Sequence, residues 1–297
     1  MSKRRRQLGP RDMGAPLSGF SLEITNKCPN DCVMCSRSTV LKEKPKNMTP
    51  AQMGKILGSV RRSKLVTRRS WVHFGVAGDP LAHPQVADMV RGVAASGFER
   101  LMVYSSLVCS DKRFAEFLAA ASEGVLTHVK LSATQFWSVK GKVDRKTFYD
   151  RARLLDRAIG QRLSFNICAP RLDLIESTCR EVAFEVGRPL AAMNGHLPTD
   201  LFSTHGLPAR CQCQERNKCS AASRHINVYG DLKLCCHDLA GMTTFGNVLN
   251  EGFRACWIRK VELFHGIANA TRNWPDHCLI CASMPSFRKQ IEGGFTL

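Results

Sequence analysis

Between residues 20 and 194, short apolar runs alternate six times with stretches of helical spacing. The apolar runs are Phe20–Thr25, Trp71–Gly75, Arg100–Ser105, His128–Ala133, Arg162–Ala169 and Leu190–Asn194. Between them lie helical patterns over Val86–Ser96, Lys112–Ala121, Arg145–Ile159 and Leu174–Gly187, the first closed by Gly97 as a C-terminal cap. One more helix is predicted after Thr49. That residue is a capping hydroxyl with Pro50 at the first position, Gln52 at the third, and Met53, Ile56, Leu57 and Val60 on one face. Short strands alternating with helices of this length predict parallel βαβ units. Six units are too few for a closed eight-stranded barrel.

The texture changes near residue 198. Pro198 to Pro208 looks like a linker, and the chain beyond Arg210 is dense in cysteine, with short strands. Ile226 to Asp238 is predicted as a hairpin turning at Gly230-Asp231 and delivering Cys235 at the end of its second strand. Phe245–Val248 and a helix over Phe253–Phe264 follow. The expected organisation is a basic disordered arm at 1–16, a strand–helix core at 17–197 and a cysteine-rich unit at 198–297.

Charge and cysteine usage narrow the function. The 297 residues carry a formal net charge of +18, and Ser36 to Arg69 holds ten Lys/Arg against one acid, Glu43. Such a field suits anionic partners: nucleic acid, phosphorylated metabolites or an acidic leader peptide. Aromatic residues are too sparse there for a stacking platform. No apolar run approaches the ~18 residues that cross a bilayer. The basic N-terminus lacks the apolar segment of a secretion signal, so a cytoplasmic chain is expected. In that compartment fourteen cysteines are better read as metal ligands than as disulfides. Cys109, Cys168, Cys179 and Cys256 stand apart and are read as small buried hydrophobes.

Cys28-Pro-Asn-Asp-Cys32-Val-Met-Cys35 puts three thiols in one loop directly after the first strand. A structural zinc site draws four ligands, usually from two separated pairs, whereas three clustered thiolates suit an iron–sulfur cube with one open iron. A zinc or disulfide loop is the plainer alternative. Ala77-Gly78-Asp79-Pro80, continuing Leu81-Ala-His-Pro84, stands just past the second strand.

These motifs resemble those of the radical S-adenosylmethionine (SAM) superfamily, with a C-terminal SPASM/Twitch-type extension. The resemblance runs from Phe20 to Cys281. It implies an α/β fold: a partial (β/α)6 TIM-like barrel with chemistry at the C-terminal strand ends, then a small cysteine-rich domain. It implies a [4Fe–4S] cluster on Cys28, Cys32 and Cys35 whose open iron chelates SAM. Reductive cleavage would yield a 5′-deoxyadenosyl radical that oxidises or cross-links an organic substrate.

Ala77, Gly78 and Asp79 would present backbone to the SAM amino group, with Ala77 and Asp79 departing from the family's Gly and Glu. Met34 stands where an aromatic residue often packs on adenine, and Ser132 and Asn166 stand where relatives contact ribose or carboxylate. One auxiliary [4Fe–4S] cluster is expected on Cys219, Cys235, Cys278 and Cys281, with Cys213 or Cys211 as rivals. Cys236 points to the opposite strand face from Cys235.

The partners implied are a small-molecule or peptide substrate of anionic character and an external one-electron donor of the flavodoxin or ferredoxin type. Residues 1–16 leave no room for a leader-binding domain, which favours a small or externally presented substrate. His73, Asp79, His83, Glu23 and Asp238 are candidates for a proton acceptor. The competing reading is a zinc- or iron–sulfur-binding nucleic-acid module without SAM chemistry.

Overall fold

The structure is a computed structural model, and it describes residues 17–32, 43–123, 126–137, 144–160, 162–168, 172–196, 224–235, 238 and 243–268. Met34, Cys35, Cys211, Cys213, Cys219, Cys236, Cys278 and Cys281 lie outside those residues.

Six parallel strands form the body of the fold: β1 (Leu17–Leu22), β2 (Val66–Phe74), β3 (Arg100–Ser105), β4 (Leu126–Ser132), β5 (Leu163–Cys168) and β6 (Met193–His196). The connecting helices are α1 (Pro50–Arg62), α2 (Val86–Ala95), α3 (Asp111–Ser122), α4 (Arg145–Ile159) and α5 (Leu172–Val186). The predicted strand–helix order therefore stands with shifted bounds: β2 begins at Val66 rather than Trp71 and β4 at Leu126 rather than His128, and the first and sixth strands also move. The first strand begins at Leu17 because Leu17 donates to the Leu65 carbonyl and accepts from the Ser70 hydroxyl. The sixth starts later than expected because Leu190–Ala192 closes a 3-10 turn first.

Strand alternation divides the sheet into two faces. Val72, Phe74, Leu101, Val103, Val129, Leu131, Phe165 and Ile167 are wholly buried beneath the helices. Their neighbours on the other face are mostly polar and half-buried: His73, Tyr104, His128, Lys130, Ser132, Ser164 and Asn166, with Trp71 and Met102 among them. A barrel with one apolar and one polar wall is a shell around a working interior.

The barrel is not closed through β1 and β6. The outer edge of β1 is taken by β7 (His225–Ile226) in parallel pairing, and β8 (Asp231–Lys233) and β9 (Thr244–Asn247) extend the sheet antiparallel. The strand order is β6-β5-β4-β3-β2-β1-β7-β8-β9. The short helix α6 (Val248–Glu251) and α7 (Phe253–Ala268) follow. Phe253 lies 6.5 Å from Phe20 and stacks on Trp257 at 6.3 Å, so α7 seals the apolar face of β1.

The turn expected at Gly230-Asp231 is present. Asn227 Oδ1 accepts from Tyr229 N at 3.1 Å and Asp231 N at 2.8 Å, and Gly230 takes the left-handed backbone, φ +91°, that a side chain resists. Cys256 is buried, and Cys109 and Cys179 pack half-buried against the core, as their isolation in the sequence suggests.

The start of α1 carries the reciprocal box read from the sequence: Gln52 N donates to Thr49 Oγ1 at 3.1 Å and Thr49 N donates to Gln52 Oε1 at 2.9 Å. Thr49→Ala is expected to lower unfolding stability by about 1 kcal/mol in a urea titration.

Candidate active site

The cysteine loop leaves β1 through a narrow neck. Met48 N donates to Ile24 O at 2.8 Å, Thr25 Oγ1 to Lys46 O at 3.1 Å, and the Asn26 side chain bridges Lys44 O and Lys46 N at 3.0 and 2.6 Å. Both ends of the loop are thus pinned to each other, so its thiols hang from a closed frame. Cys32 is buried and Cys28 half-buried, and neither is in a disulfide.

The turn after β2 packs directly on this loop. Asp79 N donates to Lys27 O at 2.9 Å. A Cβ on Gly78 would sit 2.2 Å from Thr25 O and 2.7 Å from Lys27 O, so only glycine permits the approach. The Asp79 carboxylate is fully buried and accepts from Leu81 N (2.9 Å), Ser105 Oγ (2.8 Å), Ser106 N (2.8 Å) and Ser106 Oγ. Burial raises its pKa, and the hydrogen bonds from Ser106, Leu81 and Ser105 oppose the rise. Ser106 Oγ in turn accepts from Asn30 Nδ2 at 2.7 Å, which joins the cysteine loop to the end of β3. The Gln135 amide donates to Ser106 O at 2.7 Å from beyond β4. The Arg151 guanidinium holds Leu107 O at 2.6 Å and Cys109 O at 3.1 Å, fixing a segment in which Leu107 has φ +60°.

Glu23 points away from Leu22, toward the interior, and is buried. Its Oε1 accepts from Ala77 N at 2.9 Å and its Oε2 from Val228 N at 3.3 Å. Desolvation lifts its pKa to about 7, opposed by the Ala77 bond and reinforced by the neighbouring Glu43 charge. The N–H groups of Ala77 and Asp79 are therefore both used within the protein. No donor among the described residues reaches the carbonyls of Ala77 or Gly78, which leaves them able to accept from an ammonium group. Asn30 Oδ1 is buried with no hydrogen-bond partner among the described residues, a second acceptor in the cysteine loop.

Of the other candidate acceptors, three serve structure. Asp79 is saturated by donors. His83 Nε2 donates to Met48 O at 2.8 Å while its Nδ1 accepts from Gln85 N at 3.0 Å, and burial lowers its pKa. Asp238 accepts from Thr243 N at 3.0 Å. His73 lines the interior between Trp71 and Tyr104, its pKa brought down to about 4 by desolvation and by His128, so it is neutral at pH 7. Ser132 and Asn166 lie side by side in strand register at the ends of β4 and β5, with Asn194 next in line.

Cys235 is buried just past β8, where Lys260 from α7 donates to Lys233 O at 3.1 Å and to Leu234 O. Asn30, Ser105, Ser106 and Lys260 were not singled out by the sequence motifs. Ser105-Ser106 carried one signal, its place at the end of the strand beside the Gly78-Asp79 turn.

Three parallel strand ends thus converge on a thiol-bearing loop and a glycine turn that exposes carbonyls. That arrangement agrees with the resemblance to the radical SAM superfamily carried by the sequence motifs. No family model matches the chain. It is 29% identical over 140 residues to a PqqA peptide cyclase of Bradyrhizobium diazoefficiens, covering 47% of this chain and 33% of that protein. It is 36% identical over 98 residues to a PqqA peptide cyclase of Streptomyces rochei, covering 33% and 24%. The chain thus spans about a third or less of the length of these relatives.

Among solved structures, BtrN in complex with AdoMet and 2-DOIA matches with a TM-score of 0.54 at 14% identity, covering 84% of this chain and 86% of that one. Streptococcus suis SuiB bound to S-adenosylmethionine matches with a TM-score of 0.56 at 13% identity, covering 94% and 71%. These likenesses establish the partial-barrel fold.

Gly78→Ala is expected to push the turn off the cysteine loop, costing about 1–3 kcal/mol in denaturant stability and weakening SAM binding measured by calorimetry. Gly54→Ala, where a Cβ meets nothing within 4 Å, is expected to leave both unimpaired.

Proposed function

We propose that the chain is a radical SAM enzyme that oxidises or cross-links a peptide substrate. The observation that carries this reading is the seating of the Gly78-Asp79 turn on the cysteine loop, through Asp79 N to Lys27 O, at the C-terminal strand ends. When bound, a [4Fe–4S] cluster with SAM supplies reductive cleavage of the sulfonium C–S bond and a carbon radical able to take hydrogen from an unactivated position.

The chain's own residues do the rest. Cys28, Cys32 and Cys35 would hold the cluster. The carbonyls of Ala77 and Gly78 would accept from the SAM ammonium, and Asn30 Oδ1 would offer a further acceptor. Met34, Ser132 and Asn166 would contact adenine, ribose or carboxylate.

The substrate would lie along the half-buried interior face, where His128 and Lys130 stand on β4. The Lys130 ammonium, with the net charge of +18, suits an acidic peptide, while burial and Lys130 lower the His128 pKa and keep that ring toward its neutral form. The relatives named PqqA peptide cyclase support a peptide over a small metabolite. Cys219, Cys235, Cys278 and Cys281 would hold one auxiliary cluster in the 198–297 unit, which would take up the electron that the substrate radical loses as it becomes product. A flavodoxin- or ferredoxin-type donor would supply the first electron, in the cytoplasm.

The test is anaerobic reconstitution with iron and sulfide, then dithionite and SAM, with chromatographic assay for 5′-deoxyadenosine. Cys32→Ala is expected to abolish that product. Cys278→Ala is expected to retain some uncoupled cleavage while losing turnover of substrate. A colourless preparation with stoichiometric zinc, binding RNA or DNA in a salt-dependent way, would overturn the reading in favour of a nucleic-acid module.

A further inference from the structure

Glu23 is the point at which the two ends of the sequence touch through one side chain. One oxygen takes the amide of Ala77, in the turn seated on the cysteine loop, and the other takes the amide of Val228, in the hairpin that leads to Cys235. These partners lie 54 and 205 residues away in the chain, so no local requirement explains the pair. A buried carboxylate is costly to desolvate and survives only where donors compensate it. Leu or Gln at this position would leave at least one of those two amides without an acceptor.

The hairpin is also paired to β1 through its backbone, with Ser21 N donating to Arg224 O at 2.8 Å and Glu23 N to Ile226 O at 2.9 Å, and it has further side-chain holds on this side. Asn227 Nδ2 donates to Glu43 Oε1 at 2.9 Å, Tyr229 OH donates to Lys44 O at 2.7 Å, and Lys46 sits 4.4 Å over the Tyr229 ring. All three grip residues 43–46, at the exit of the cysteine loop. Glu23 alone among these contacts reaches the turn whose carbonyls face the proposed SAM site.

We infer that Glu23 is a positioning residue that couples the SAM-binding turn at Ala77 to the hairpin carrying Cys235, so that occupancy of the first site tightens the second. This inference rests on the radical SAM reading for the identity of the ligand, while the clasp itself does not. Binding at the turn draws Ala77 into place, and the shared carboxylate transmits the restraint to Val228. By linkage the effect is reciprocal: a hairpin ordered around its metal favours the turn that takes SAM.

Among the described residues, the charged and titratable groups facing Glu23 are Glu43 from the segment after the cysteine loop, Lys233 from β8, and the Tyr229 phenol from the turn. Lys233 Nζ lies 3.3 Å from Glu43 Oε1 and offsets its charge. With a pKa near 7, Glu23 takes up a proton within the working range. A protonated carboxyl presents one O–H where two amides need acceptors, so the longer bond, to Val228, is the one released. The sign follows. A carboxyl whose folded pKa lies above its unfolded value stabilises the fold below the unfolded pKa, near 4.5, and loses that contribution as pH rises through 7. The clasp is therefore complete only in the less stable, ionised form.

The test is hydrogen exchange of the full-length reconstituted chain, read by mass spectrometry at single-amide resolution and corrected for intrinsic rates. In the wild type, Val228 is expected to exchange about five- to tenfold faster at pH 6 than at pH 8, the loss of one hydrogen bond, while Ala77 changes little. Glu23→Gln is expected to fix Val228 at the fast rate at both pH values. SAM is expected to slow exchange at both amides in the wild type and at Ala77 alone in the variant.

A Val228 rate indifferent to pH in the wild type, or equal slowing by SAM at Val228 in both proteins, would overturn the coupling. The pH series needs no variant, so a poorly folding Glu23→Gln does not remove the test. Absence of 5′-deoxyadenosine with an intact pH step at Val228 would sink the enzymatic reading and leave the clasp standing.

Discussion

The buried carboxylate of Asp79 is the constraint on which the site depends. Four donors converge on it, from the turn after β2 and from the end of β3, and Asn30 reaches it through Ser106. An anion this deep is tolerable only when each lone pair is met, and meeting them sets the spacing of three strand ends at once. The thiol loop then has no freedom to drift from the turn, because Gly78 lies against its carbonyls and Asp79 N is bonded to Lys27. Chemistry that requires a cofactor to bridge loop and turn needs that separation held to a fraction of an ångström.

Much of this fold could be read from the residues. The Thr49–Gln52 box and the apolar stripe Met53, Ile56, Leu57 and Val60 are local signals, and each stripe residue is buried as the spacing demands. The strand order of the six parallel units also followed, since each strand announces itself by its own apolar run. Glu23 could be assigned to the interior because it follows Leu22 in a period of two. The Ser105-Ser106 pair and Asn30 could not be assigned a partner, because their bonds to Asp79 and to each other join segments far apart in sequence. The pairing of β7 with β1 was invisible for the same reason: a strand of two residues leaves no periodicity.

The polar wall of the barrel follows from the same alternation that builds the core. Each residue that buries Val129, Leu131, Phe165 or Ile167 against the helices turns a neighbour toward the interior: His128, Lys130, Ser132, Ser164 and Asn166. His128 Nε2 meets Ser164 Oγ at 2.7 Å across the β4–β5 pair, so this face is already organised by hydrogen bonds. A substrate there would meet a patterned surface of imidazole, ammonium, amide and hydroxyl groups. Its shape would be read by the sheet and its charge by the side chains.

The addition of β7 to the flank of β1 makes the two halves of the chain parts of one continuous ribbon. Cleaving the protein at the linker would not release two independent modules. The amino-terminal fragment would keep a strand whose N–H and C=O groups face outward without a neighbour, an invitation for another copy to dock there and form aggregates. The carboxy-terminal fragment would lose the template on which its first strand is laid down. Evolution could therefore exchange or trim the cysteine-rich tail of such a protein only by preserving the short strand that stitches it to the body.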